Sequence, residues 1–119
     1  ICWFEAGVTD SWAGRLAALP GLGFLKGGAC PHYDGEPERR PAVHRLVGAG
    51  GMPTTLAIDD GAAAHFEGRT LLRVVSVRAD ARAYDVRKRA GRVIETPLPT
   101  AQLTNTGALS ASLSRRARA

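Results

Sequence analysis

Three histidines are the side chains best able to exchange a proton near neutral pH, and one of them occupies a position suited to catalysis. His32 follows Cys30 and Pro31. Proline restricts its own φ and pushes the preceding residue into an extended conformation, which predicts that His32 lies at a strand end or loop mouth. His44 falls in a predicted helix, where an exposed or rim position is the simpler interpretation. His65 falls in a predicted strand, where packing or exposure is. His32 is therefore the candidate general base, with a structural role as the alternative that its position leaves open.

A pair of carboxylates, Asp59 and Asp60, precedes Gly61 at the end of another predicted strand. One interpretation is a polar turn, because glycine accepts a positive φ and aspartate bonds readily to nearby backbone. The other is catalytic, because a carboxylate can orient an imidazole, hold its tautomer and stabilise the imidazolium that forms during acyl transfer. The spacing leaves both interpretations open.

Catalysis of this kind needs a nucleophile, and the order Ser, His, acid would place it before His32. Ser11 and Ser76 lack the Gly-x-Ser-x-Gly pattern of a nucleophile elbow. The remaining serines lie near the carboxyl end, at Ser110, Ser112 and Ser114. We therefore expect no catalytic nucleophile in these 119 residues.

The acidic residues that follow His32 do not predict a metal site. Asp34, Glu36 and Glu38 have the spacing of no recognised ligand set, and two arginines, Arg39 and Arg40, stand directly after them. Surface ion pairs are the simpler interpretation, and each contributes little to stability. We predict neither a metal nor a cofactor.

The elements that must position these residues follow from hydrophobic periodicity and from glycine and proline. Residues 1–6 form an apolar run before Gly7, which predicts the later turns of a helix with a glycine C-cap. Residues 12–19 are predicted to be a short helix that ends at Pro20, and residues 22–25 a short buried strand.

Later segments show clearer periodicity. The apolar spacing of residues 42–47, with Pro41 in the first turn and the glycine-rich residues 48–51 at the end, predicts a helix. A strand over residues 54–58 follows. The period then changes to two, which predicts two hairpins, residues 62–66 with 71–77 and residues 83–87 with 93–96. Pro97 and Pro99 are expected to end regular structure, and residues 101–119 are predicted to be a disordered tail.

The composition limits the class of protein. A chain of 119 residues suits one domain. A hydrophobic fraction of 45% with 23% charged residues is typical of a folded protein. The chain lacks the apolar run of about 20 residues that spans a membrane, and it does not open on a secretory signal pattern. Two cysteines, Cys2 and Cys30, are too few for a disulfide scaffold. These features predict an α/β or α+β domain in the cytoplasm.

The basic charge does not by itself predict a nucleic-acid partner. Lysine and arginine number 16 against 11 acidic residues, for a net charge of +5. Part of the excess lies in three arginines near the carboxyl end, and the basic residues between positions 82 and 92 have acids among and beside them. Nucleic-acid binding would need aromatic side chains to stack on or a helix to enter a groove, and only Tyr84 is nearby. We predict no nucleic-acid or membrane partner.

Five segments together resemble the C-terminal part of the peptidase E (aspartyl dipeptidase) family of serine peptidases. They are Ile-Cys-Trp-Phe-Glu at 1–5, Gly-Leu-Gly-Phe-Leu at 21–25, Cys-Pro-His-Tyr-Asp-Gly-Glu at 30–36, Ala-Ile-Asp-Asp-Gly-Ala-Ala at 57–63 and Glu-Thr-Pro-Leu-Pro at 95–99. Residues 1–100 are identified on this basis as the C-terminal part of a peptidase E-like catalytic domain. The resemblance implies an α/β, three-layer fold similar to that of class I glutamine amidotransferases, with β-hairpins at the C-terminal end.

The same resemblance implies roles for single residues. The family's Pro-His motif makes His32 the general base, and the acid of its Ser-His-Glu triad corresponds to Asp60, with Asp59 as the rival. The serine, in a Gly-x-Ser-Ala-Gly elbow, would stand a few residues before Ile1. The implied substrate is a small peptide. We therefore expect this chain to be inactive as a peptidase when it is alone.

Two other interpretations stay open. A catalytically inactive α/β remnant, or an interaction module, would also lack the nucleophile. A glutamine-amidotransferase-like enzyme would share the fold but would use a cysteine at the elbow. Cys2 is not that cysteine, because it lies inside the predicted first helix and has no flanking glycines.

Overall fold

The computed structural model describes residues 1–10 and 14–104, which form nine strands and one helix in an α/β arrangement. The elements in chain order are β1 (Phe4–Thr9), β2 (Ala17–Pro20), β3 (Leu25–Cys30), α1 (Arg39–Gly48), β4 (Thr55–Ile58), β5 (Ala62–Glu67), β6 (Thr70–Ser76), β7 (Ala83–Arg89), β8 (Arg92–Pro97) and β9 (Thr100–Gln102). A six-stranded sheet has the order β2-β1-β3-β4-β7-β8, and a three-stranded sheet has the order β5-β6-β9.

The centre of the larger sheet is parallel. Strand β3 lies between β1 and β4 and runs parallel to both, with Ala29 opposite Leu56 and Cys30 opposite Ala57. The outer strands β2, β7 and β8 each pair antiparallel with their inner neighbours. Parallel strands bring their carboxyl ends to the same edge of a sheet, so the segments that follow β3 and β4 lie side by side.

A glycine in β3 allows β4 and the loop before it to approach closely. A Cβ on Gly28 would lie 2.5 Å from the Cε of Met52 and 2.8 Å from the Oγ1 of Thr55. The N–H of Gly28 donates to the carbonyl of Thr54 over 2.9 Å. A larger residue here would have to displace the side chains of Met52 and Thr55, which pack against β3.

Helix α1 covers one face of the large sheet with small and β-branched side chains. Ala42, Val43 and Val47 are buried on its inner side. The core cluster around them contains Val8, Cys30, Tyr33, Val43, Val47, Met52, Ala57 and Val86. Burial of each such apolar side chain contributes about 1.5–3 kcal/mol, which makes this cluster the main stabilising contact between helix and sheet.

Several sequence-based expectations are confirmed. Helix α1 has Pro41 in its first turn and ends at the glycine-rich segment. Strand β4 and the hairpins β5-β6 and β7-β8 pair as the period-two pattern predicts. The expected α/β class with hairpins toward the C-terminal end is therefore correct. No helix among the described residues is long and apolar enough to cross a membrane.

The predictions for the first 25 residues are wrong. Residues 4–9 form strand β1 rather than the later turns of a helix, and Cys2 lies in a turn before it. Residues 17–20, within the predicted second helix, form β2, whereas Trp12 lies outside the described residues. Residues 22–24 precede β3, and Leu22 and Phe24 are exposed. A short apolar run does not distinguish helix from strand, and pairing with β3 selects the extended form here.

The end of the chain also differs from expectation. Pro97 ends β8, but regular structure resumes after Pro99, because residues 100–102 form β9 and pair parallel with β6. These residues include the first two of the segment predicted to be a disordered tail. Residues 105–119 of that segment lie outside the described residues.

Candidate active site

His32 lies two residues beyond the end of β3. Its backbone adopts a φ of 53°, in the left-handed region that few residues other than glycine occupy. Its carbonyl accepts the N–H of Gly35 over 3.0 Å, which closes a turn. The imidazole is 63% exposed and therefore accessible to a reacting group.

Asp60 lies two residues beyond the end of β4, and its carboxylate meets the imidazole of His32. The Oδ1 of Asp60 and the Nδ1 of His32 are in hydrogen-bond contact. The two side chains meet because of the strand pairing. Cys30 lies opposite Ala57, and His32 and Asp60 each stand a few residues beyond these positions. The N–H of Tyr33 donates to the carbonyl of Ile58 over 3.0 Å and extends the pairing beyond the strands. The structure thus brings together the two residues singled out from the sequence.

Asp59, the rival acid, points elsewhere. It is buried, and its Oδ2 accepts the N–H of Arg82 over 3.0 Å. Its own N–H donates to the carbonyl of Arg82 over 2.9 Å. Burial raises the pKa of the Asp59 carboxyl. These contacts fit an anchor between the turn after β4 and the segment before β7, which is the turn interpretation of this residue.

Asp34 and Gly35, which follow His32 closely in the chain, contact Asp60. The Oδ1 of Asp34 accepts the N–H of Asp60 over 2.7 Å, and its Oδ2 accepts from the Nη2 of Arg78 over 2.6 Å. Gly35 packs so closely that a Cβ there would lie 2.6 Å from the Oδ2 of Asp60. The ion pair expected for Asp34 from the sequence is present, but its partner is Arg78 rather than Arg39 or Arg40. Arg39 instead pairs with Glu36 over 3.1 Å.

The loop that carries His32 is anchored by Tyr33, the residue directly after His32. Tyr33 is buried, its ring centroid lies 5.7 Å from that of Tyr84, and its hydroxyl donates to Glu95. The Oε1 of Glu95 also lies 3.1 Å from His44 Nε2 and 3.1 Å from Arg40 Nε. His44, expected to be exposed or at the rim, lies at the edge of this ion-paired cluster and keeps 37% of its side chain exposed. Burial alone would raise the pKa of the Glu95 carboxyl, but the contacts with Tyr33, His44 and Arg40 together lower it.

The other candidates do not join the site. His65 is exposed on β5. Ser76 is buried, and its hydroxyl donates to the carbonyl of Arg78 over 2.7 Å. Burial raises the pKa of the Cys30 thiol to about 11. Ser11 and the serines after residue 104 lie outside the described residues. Within the described residues, no three His, Cys, Asp or Glu side chains form a group that could hold a metal ion.

The pair has a defined chemical capacity. An ionised carboxylate can only accept hydrogen bonds, so contact with Asp60 requires a proton on the Nδ1 of His32. The neutral imidazole then keeps a lone pair on Nε2, which can accept a proton from a hydroxyl. This is the arrangement of a general base held by an acid, and it needs a nucleophile to act on.

Residues 1–74, which include both members of the pair, match the family model described as peptidase family S51. Over 103 residues the chain is 52% identical to the uncharacterized peptidase YgaJ of Bacillus subtilis (strain 168), an alignment that covers 87% of this chain and 44% of that protein. The chain thus spans less than half the length of this curated relative. No solved structure matches the chain.

Proposed function

The chain belongs to peptidase family S51, which confirms the resemblance to the peptidase E family, and from this premise we propose that it supplies the general base and the orienting acid of a serine-type peptidase. His32 is the base and Asp60 the acid. The nucleophilic serine is contributed by a part of the protein outside these 119 residues. The substrate is a small peptide, and the reaction takes place in the cytoplasm.

The proposed reaction is acyl transfer in two halves. The serine hydroxyl attacks the peptide carbonyl while the Nε2 of His32 takes its proton, and His32 returns that proton to the nitrogen of the amine as the C–N bond breaks. In the second half, His32 takes a proton from water as the oxygen of that water adds to the acyl carbon. The serine oxygen then leaves with the proton from His32, and the carboxylic acid is released. Asp60 stays ionised throughout and stabilises the imidazolium.

The fold that we propose for the whole protein is three-layered and similar to that of class I glutamine amidotransferases. The parallel strands β1, β3 and β4, with α1 on one face, support such an arrangement. In this fold the ligand site lies at the carboxyl ends of the strands, which is where His32 and Asp60 stand. The oxyanion hole would come from backbone N–H groups near the serine.

The observation that carries the proposal is the contact between His32 Nδ1 and Asp60 Oδ1 at adjacent parallel strand ends. Both side chains are accessible, at 63% and 44% exposure, so the contact is open to a substrate and to a serine from another segment. Among the described residues, the Ser76 hydroxyl donates to the carbonyl of Arg78 and the Cys30 thiol to that of Pro31, so neither hydrogen-bonds to this pair. We therefore expect the 119-residue chain alone to hydrolyse no peptide.

The test uses a longer protein in which the family's amino-terminal part precedes Ile1, assayed on small peptides. His32→Ala is expected to lower kcat/KM by about 10⁴-fold or more, and Asp60→Asn by about 10²–10⁴-fold. His65→Ala, on exposed β5, is the matched histidine control and is expected to leave activity unchanged. Full activity in His32→Ala would refute the proposal. A large loss in Asp59→Asn with none in Asp60→Asn would reassign the acid.

The residues encoded directly before Ile1 give an independent check on the class of enzyme. A Gly-x-Ser-Ala-Gly sequence there supports the peptidase. A cysteine in the position of that serine would indicate a glutamine-amidotransferase-like transferase instead. If neither a serine nor a cysteine stands in that position, the chain would be an inactive remnant.

A further inference from the structure

Asp34 connects three loops at the edge of the sheet where His32 and Asp60 meet. It lies two residues after His32, in the segment between β3 and α1. Its Oδ1 accepts the N–H of Asp60, in the turn after β4, over 2.7 Å. Its Oδ2 accepts from Arg78, in the segment between β6 and β7, over 2.6 Å. One carboxylate therefore fixes the backbone of Asp60 relative to both neighbouring segments.

The bond to the Asp60 N–H controls the direction in which the Asp60 side chain leaves the backbone. Asp60 lies in a tight turn, with Gly61 at a φ of 80° and the N–H of Ala62 donating to the carbonyl of Asp59 over 3.1 Å. If the N–H of Asp60 had no acceptor, its peptide unit could rotate and carry the carboxylate away from His32. Asp34 prevents this rotation without touching the imidazole itself.

Arg78 lowers the electrostatic cost of this arrangement. Asp34 and Asp60 place two carboxylates near each other, and like charges at short range repel. The guanidinium of Arg78 bonds to one carboxylate and attracts the other. Burial alone would raise the pKa of the Asp34 carboxyl, but the hydrogen bonds from the Asp60 N–H and from Arg78 lower it. Asp34 is therefore ionised at neutral pH.

We propose that Asp34, held by Arg78, is a positioning residue that keeps the carboxylate of Asp60 on the Nδ1 of His32. The proposal rests on the function proposed above, because it concerns the same histidine and acid. It adds to the site two residues whose proposed role is to position Asp60. Their effect is to keep the His32 imidazole in one tautomer, with Nε2 ready to accept a proton.

The test measures the imidazole directly in the 119-residue chain, so that it does not depend on activity. Side-chain ¹⁵N NMR reports which nitrogen of His32 carries the proton, and amide hydrogen exchange reports whether the Asp60 N–H is bonded. In Asp34→Ala we expect the Nδ1–H tautomer to lose its dominance and the Asp60 amide to exchange at least about tenfold faster. Amides of β4, such as that of Ala57, are expected to keep their exchange rates.

Two further variants separate positioning from loss of folding. Asp34→Asn keeps an oxygen that can accept the Asp60 N–H, so it is expected to restore much of the Nδ1–H tautomer. Arg78→Met leaves Asp34 in place without its anchor and is expected to give an intermediate result. The matched control is Asp85→Ala, which removes a carboxylate paired with Arg87 over 2.6 Å on β7. This control is expected to leave His32 unchanged.

In the longer, active protein, Asp34→Ala is expected to lower kcat by about 10–100-fold with little change in KM, because it displaces a group without removing a substrate contact. An unchanged His32 tautomer and an unchanged Asp60 exchange rate in Asp34→Ala would overturn the proposal. If Asp34→Ala fails to fold, an Arg78→Met variant in which both measurements equal those of Asp85→Ala overturns it equally. Loss of activity in His32→Ala with none in Asp34→Ala would refute the positioning role alone. Full activity in His32→Ala would refute the proposed function itself.

Discussion

Gly35 offers a way to disturb the His32–Asp60 pair without changing either side chain. A Cβ at this position would lie 2.6 Å from the Oδ2 of Asp60 and 3.4 Å from the Cβ of His32. Gly35 is not among the glycines with a positive φ. Alanine therefore fits the backbone there, and Gly35→Ala adds only a methyl group beside the carboxylate.

The size of the effect follows from the distances. Ordinary van der Waals contact begins at about 3.4 Å, so the Oδ2 of Asp60 must retreat by roughly 0.8 Å. The Oδ1 of the same carboxylate contacts His32, so this contact is lost or distorted. A displacement of this size lowers kcat/KM by about 10–100-fold in the longer protein. The crowded atom ends a side chain that is 44% exposed, so we expect the crowding to cost less than the roughly 1–3 kcal/mol of an overpacked core. The stiffer unfolded chain offsets about 0.4–1 kcal/mol of it.

The assay is the ¹⁵N spectrum of the His32 imidazole, with urea unfolding to confirm the fold. We expect Gly35→Ala to reduce the Nδ1–H tautomer while unfolding remains cooperative. Gly51→Ala is the matched control, because a Cβ there would meet its nearest atoms, in Leu46, at 3.6 Å. A His32 spectrum in Gly35→Ala identical to that of the Gly51→Ala control would refute the reasoning, because the carboxylate would then have tolerated the methyl group without leaving the imidazole.

Two further predictions concern the core and the ion-paired cluster. Val43 is fully buried, so Val43→Ala is expected to lower the free energy of unfolding by about 1.5–3 kcal/mol in urea titration, and a change under 0.5 kcal/mol would contradict its place in the core. Glu95 has a lowered pKa in the folded state, so its stabilisation is complete above the unfolded pKa and is lost as pH falls through the folded value. The free energy of unfolding of Glu95→Gln is therefore expected to be about 1–2 kcal/mol lower than that of the unchanged protein at pH 7. This difference is expected to shrink below the ordinary Glu pKa of 4.5. A difference that stays constant down to pH 3 would contradict the prediction.

The parts of the fold that were predicted correctly are those with local signals. Helix α1 has apolar residues at helical spacing and a proline that its first turn tolerates. The hairpin β7-β8 turns at Ala90 and Gly91, both with positive φ. Strands β1 and β2 were missed, because neither carries a local signal and both form by pairing with other strands. Strand β9 was missed for the same reason.

The candidate site was predictable in its two central residues only. His32 and Asp60 stood out because each follows a strand and because the surrounding segments resemble a known family. The choice between Asp59 and Asp60 as the partner of His32 required the structure, since adjacent residues differ only in the direction that their side chains take. Asp34 and Arg78 could not have been paired from sequence, because 44 positions separate them.

Local sequence specifies which residue types stand at the ends of β3 and β4, where helix α1 forms and where the hairpins turn. These features depend on residues a few positions apart, and local sterics and hydrophobic spacing are sufficient to specify them. The parallel register of β3 with β4, and the contact of Tyr33 with Glu95 across 62 positions, depend instead on the fold as a whole. Such contacts form when the whole chain buries its apolar surface, and no short segment carries that information.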